Sequence, residues 1–245
     1  MWMSLLKSAE WKPFKDLLSP SFFDVVPATV LLGQASALAR NYRDGPQFEA
    51  AKAARSSTLV ASGLPVSLAP TLPTARAAMD PQRRGALVLE LFFHQVLKGG
   101  GVLLDHRSTA FAEQGDRLVW SPPPVFATFD PDFHAGLTQL YRGFYAIDPA
   151  AFSAGAAMLG LGKAEDAMRK QFGADDQTRV VFSLREFQHR FHDDFVECKA
   201  TKSKLHPQFI ALGIGLSTLY SHLEELGGTH DARGAFERAA GMPTA

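Results

Sequence analysis

A chain of 245 residues, 46% hydrophobic and 20% charged, can form one large globular domain or two small ones. Lysine plus arginine and aspartate plus glutamate balance at 25 each, which offers no basic footprint for nucleic acid. The single cysteine, Cys198, excludes an intramolecular disulfide and fits a reducing, cytoplasmic compartment, and the longest strongly apolar run, 12 residues from Phe209 to Tyr220, is too short to span a bilayer. Lys7, Glu10 and Lys12 interrupt any secretory leader core.

Residues 2–18 place Trp2, Leu5, Leu6, Trp11, Phe14, Leu17 and Leu18 near helical spacing, with Lys7, Lys12 and Lys15 between them and Pro13 dividing two short pieces. Such a mixture either packs on its own domain or a partner, or lies in a membrane interface, where Trp2, Trp11 and Phe14 would make the contact. In the second case the protein sits at the inner membrane surface. Helices are expected over 21–43, interrupted near Pro27, and over 46–61. The stretch 62–74 carries three prolines and reads as a loop or extended connector. These features define an N-terminal unit, 1–80, followed by a helical domain, 81–245. Asp80-Pro81, Asp130-Pro131 and Asp148-Pro149 each pair a cap with a proline at the first helical position, and open helices over 81–98, 131–146 and 149–160. A short helix follows over 163–172. Ser183 and Glu186 form a capping box for a helix to about Lys199, His206-Pro207 opens another that Gly227-Gly228 stops, and a last helix spans 231–240. The fold class is mainly α, with one short β-hairpin inserted over 102–120 and turning at Gln114-Gly115-Asp116.

The centre of the chain carries a family resemblance. Phe93-His94-Gln95-Val96-Leu97 leads to Leu103-Leu104-Asp105-His106-Arg107-Ser108-Thr109-Ala110, then to the hairpin Gly115–Trp120, then to the helix starts at Asp130-Pro131 and Asp148-Pro149, and finally to the proline-initiated apolar helix after His206-Pro207. This ordered series, over roughly 85–226, resembles the C-terminal lobe of the UbiB/AarF-like atypical kinases, the family tied to ubiquinone biosynthesis. The resemblance implies a kinase-like helical lobe and a link to isoprenoid-type lipids.

The departures from the family pattern concern chemistry. Phosphoryl transfer needs hard oxygen ligands for magnesium and a cradle for the nucleotide. The family's catalytic-loop Asn falls on Ala110, and the Asp of its Asp-Phe-Gly falls on Pro122 within Pro122-Pro123-Pro124. Asp105 alone remains of the aligned polar groups, a vestige with no partner carboxylate. Residues 44–80 are too few and too poor in strand pattern for a nucleotide lobe, and Gly99-Gly100-Gly101 lacks the Lys-Ser/Thr of a P-loop. The resemblance therefore implies a pseudokinase remnant without catalytic residues or cofactor. It would act as a scaffold or regulator that binds a protein partner or an isoprenoid-type lipid, with His106 and Arg107 as candidate contacts beside Asp105.

Two other sets of residues suit a helical metal-dependent enzyme. Glu90 and His94 are spaced i, i+4, and Glu186, His189 and Asp193 lie on the helix 183–199. At 100° per residue, Leu184, Phe187, Phe191, Phe195 and Cys198 share an arc of about 80°, with Glu186, His189 and Asp193 opposite. That geometry favours a solvated face over a ligand set, and a buried, mutually satisfied pair for Glu90 and His94. Cys198 falls on the apolar arc and is expected to be buried. A third reading is a structural subunit of a helical assembly.

Overall fold

Local capping chemistry sets most of the helix starts in the structure, a computed structural model that describes residues 28–43, 45–74, 78–98, 101–161, 164–172, 179–203 and 205–242. The helices are α1 (Ala28–Arg43), α2 (Gly45–Ser62), α3 (Pro81–Lys98), α4 (Pro131–Tyr145), α5 (Pro149–Met158), α6 (Glu165–Phe172), α7 (Leu184–Ala200), α8 (Phe209–Leu226) and α9 (Ala232–Ala240). All three Asp-Pro starts fall where expected. Asp80 accepts the Arg83 N–H at 2.9 Å and Asp148 accepts the Ala151 N–H at 3.1 Å, while Asp130 makes no side-chain cap bond. Ser183 accepts the Glu186 N–H at 3.3 Å and starts α7. At the far end of α8, Gly227 adopts φ 68°, a conformation that suits glycine and halts the helix. The fold is mainly α.

Helix α8 begins two residues later than His206-Pro207 suggests. Gln208 turns its side chain back, donating to the Thr128 carbonyl at 3.1 Å and accepting the Asp130 N–H at 2.9 Å. This bond ties the start of α8 to the start of α4.

The strands are β1 (Val66–Leu68), β2 (Gly101–Leu103), β3 (Phe111–Gln114), β4 (Arg117–Trp120), β5 (Phe126–Thr128), β6 (Arg179–Val180) and β7 (His230–Asp231). The hairpin is shorter than expected. It comprises β3 and β4 only, with Phe111 opposite Trp120 and Gly115 at φ 63° in the turn. The segment 104–110 leaves the sheet because side chains claim its carbonyls. Thr218 donates to the Leu104 carbonyl at 2.7 Å and Trp120 donates through Nε1 to that of Asp105 at 3.0 Å. Strand β2 instead pairs antiparallel with β5, Gly101 opposite Thr128, beyond the three prolines. The connector 62–74 also contributes a strand. β1 runs parallel to β4, Val66 opposite Leu118, and Pro65 and Pro70 flank it where no ladder N–H is required. Beyond residue 80, β6 and β7 pair antiparallel, Arg179 opposite Asp231.

Helix α3 is the central beam. Leu87, Val88, Leu91, Phe92 and Val96 are each at most 1% exposed, so the helix is covered on nearly every face. The same core takes in Phe48 and Leu59 from α2 and Val66 from β1. Helices α4 and α5 fold back on each other at glycine contacts. A Cβ on Gly143 would collide with the backbone nitrogen of Phe152, and one on Gly155 with that of Leu140.

Candidate functional site

The loop between β2 and β3 holds Asp105, His106 and Arg107, and each is committed to the fold. The Asp105 carboxylate accepts the Arg107 backbone N–H at 2.9 Å and its guanidinium Nε–H at 3.0 Å, with a further bond from Nη2. His106 is fully buried. Its ring stacks on Trp120 at 5.4 Å, and its Nε2 accepts from the Gln95 side-chain amide at 2.9 Å. The Gln95 carbonyl accepts the Leu103 N–H at 2.9 Å, fixing the amide's orientation. Burial outweighs the Asp105 charge and lowers the His106 pKa to about 4, so the ring is neutral. Ala110 and Pro122 are buried beside this loop, and neither carries a side-chain oxygen.

A second buried histidine supports the loop from α8. His222 donates through Nδ1 to the His106 carbonyl at 2.7 Å and accepts from Arg84 Nε at 2.9 Å. Burial, then the Arg84 charge, lowers its pKa to about 3. Arg84 also bonds the Glu113 carboxylate and the Ser108 carbonyl, the latter at 3.1 Å. This network joins α3, the loop, β3 and α8, and both of its histidines are buried.

The expected pair of Glu90 and His94 does not form. Glu90 accepts from Arg238 Nε of α9 at 2.8 Å, while His94 is buried with its Nδ1 unpartnered among the described residues. Glu186, His189 and Asp193 are exposed on the outer face of α7, and Phe187, Phe191 and Cys198 are buried on the inner one, as the helical wheel indicates. Burial pushes the Cys198 thiol up to about 11, which suits a packing role. Among the described residues no group of three or more His, Cys, Asp and Glu side chains is placed to hold a metal ion. Trp2, Trp11 and Phe14 lie outside the described residues. No helix among those described is long and apolar enough to cross a membrane.

A concave feature of the helical domain lies elsewhere, mainly between α3, α4, α7 and α8. A cavity of about 80 Å³ is lined by aromatic and aliphatic side chains, among them Phe93 of α3, Tyr141 of α4, Phe187 and Phe191 of α7 and Tyr220 of α8. Phe187 lies 5.4 Å from Phe191 and 4.6 Å from Tyr220, so three rings form one wall. Burial raises the Tyr220 phenol to about 12 and that of Tyr141 further from its ordinary value.

One charged residue stands in this lining, Asp194. It is 7% exposed, and its Oδ2 has no hydrogen-bond partner among the described residues. Burial, then the charge of Asp193, raises its pKa to about 7. The sequence contained this signal. At 100° per residue, Asp194 falls about 20° beyond Phe187, at the rim of the apolar arc, where a carboxylate is open to burial by neighbouring helices.

Comparison with known proteins finds no family model and no curated protein that matches the chain.

Proposed function

We propose that the chain is a non-catalytic binding module, a reduced UbiB-like pseudokinase whose helical domain holds an isoprenoid-type lipid and acts as a scaffold or regulator. The aromatic-lined cavity among α3, α4, α7 and α8 carries this reading, since ligand sites are concave, mostly apolar and furnished with few polar groups. The commitment of Asp105 to Arg107 supports the non-catalytic part, because the carboxylate is held by its neighbour and not offered to a cleft. Size limits what enters. The cavity, about 80 Å³, is roughly half the ~150 Å³ site that accepts benzene in an engineered protein core. It therefore receives the last few carbons of a prenyl chain, with the rest of the ligand outside.

Farnesol is a suitable probe. The full chain is expected to bind it saturably in a fluorescence or calorimetric titration. Leu216→Trp, which adds bulk to a partly buried position in the cavity wall, is expected to weaken binding without unfolding the protein. Absence of farnesol binding by the wild-type chain overturns the lipid reading. Magnesium–ATP titrated in parallel is expected to give no binding signal, and micromolar affinity would overturn the pseudokinase reading.

A further inference from the structure

We infer that the cavity around Asp194 is a recognition site for a small alkylammonium group, whose charge pairs with the Asp194 carboxylate and whose carbons lie among the surrounding rings. The inference rests on reading the helical domain as a ligand-binding module, and it names an occupant that would compete with a prenyl end for the same space of about 80 Å³.

Geometry comes first. Phe187, Phe191, Asp194 and Cys198 are spaced i, i+4, i+7 and i+11, and all four are buried on the inner face of α7. Asp194 thus occupies a core position in a stripe that packing alone would fill with an apolar residue. A buried carboxylate is costly unless a cation or several donors meet it. Among the described residues, no lysine, arginine or histidine belongs to the cavity lining and Oδ2 has no bonding partner. Burial and the neighbouring Asp193 charge both oppose ionisation of Asp194, and no cation among the described residues favours it. Arg190, on the outer side of α7, acts on Tyr220 and not on Asp194.

The rings decide between kinds of donor. Phe187, Phe191 and Tyr220 present aromatic surface to the same space as the carboxylate. Aromatic faces attract an ammonium group and give a neutral hydroxyl no comparable stabilisation. A metal ion is a poor fit, since magnesium and calcium need several hard oxygen ligands and this lining provides one carboxylate. An ammonium carries three N–H donors on one compact charge, so one can meet Oδ2 while the group stays over the rings. The cavity volume of about 80 Å³ limits the attached hydrocarbon to a few carbons.

The test compares isobutylammonium chloride, isobutanol and sodium chloride as additives to the full chain at pH 8, read by ligand-observed NMR and by melting temperature. The expected result is saturable binding of isobutylammonium, roughly tenfold tighter than isobutanol, with no matching effect of sodium chloride. Asp194→Asn is expected to remove the preference for the amine, and Asp194→Glu to retain part of it. Equal affinity for amine and alcohol, or an amine preference that survives in Asp194→Asn, overturns the inference. If Asp194→Asn does not fold, the discrimination by the wild-type chain alone decides. Farnesol binding without amine preference defeats this inference and leaves the binding-module reading standing. Loss of both defeats the module itself.

Discussion

Two aspartates of similar burial have opposite surroundings. Asp105 is 5% exposed and receives a backbone N–H and the Arg107 guanidinium, whereas Asp194 is 7% exposed with one oxygen unpartnered among the described residues. Hydrogen bonds to a charged group contribute roughly 1.5–3 kcal/mol. Asp105→Asn keeps the shape, loses the charge, and is expected to destabilise the fold by about that amount, seen as a lower urea midpoint with unchanged slope. Ligand binding in the cavity should persist, because the loop 104–110 contributes nothing to its lining. An Asp105→Asn variant that melts like the wild type would show that the ion pair is not structural, and would reopen a functional role for the carboxylate.

At the scale of elements, close helix contact constrains the sequence more than propensity does. Gly143 of α4 lies against the backbone of Phe152 in α5, and backbone cannot rotate away as a side chain can. Gly143→Ala is therefore expected to cost on the order of 1–3 kcal/mol despite alanine's higher helix propensity. Melting curves would show it, and Gly33→Ala, in α1 with open space at its Cβ, serves as the control. Elements governed by local chemistry were legible in the sequence. The Asp-Pro starts, the Ser183 cap and the Gly227 stop involve groups a few residues apart. Elements that depend on distant partners were not. β1 forms because β4 pairs with it some fifty residues away, and β2 chooses β5 once side chains take up the intervening carbonyls. The same distinction holds at the candidate sites. Glu90 and His94 looked like natural partners at i, i+4, yet Arg238 competes successfully for Glu90 from 148 residues away. The helical wheel placed Asp194 at the rim of the apolar arc, but the cavity it faces was not legible, because residues of six helices and β6 line that space.

Across the whole molecule, the buried titratable groups set how stability varies with pH. His94, His106 and His222 have folded pKa values of about 4, 4 and 3, and burial also lowers those of His206 and His230. For each, the unfolded chain takes up a proton near pH 6.5 while the folded chain does not. Their contribution is fully present above pH 6.5 and is lost as the pH falls towards the folded values. Asp194 acts in the opposite sense. Its pKa is raised from 3.8 to about 7, so its stabilising contribution is present at low pH and is lost as the pH rises through about 7. Each fully titrating group contributes about 1.4 kcal/mol per pH unit. Below pH 6 the histidines outnumber the one raised carboxyl, and stability is expected to fall by about 3 kcal/mol per unit towards pH 5. Above pH 7 the histidines are neutral in both states and Asp194 ionises in both, so stability levels off. Urea unfolding at intervals from pH 5 to 8 should therefore give a steep rise to about pH 7 and a plateau beyond it. Asp194→Asn removes the one opposing carboxyl and should steepen the rise between pH 5 and 7 by about 1.4 kcal/mol per unit. An unchanged slope in Asp194→Asn would show that Asp194 is ionised in the fold below pH 7 by a cationic partner, and would remove the reason for assigning that role to a ligand.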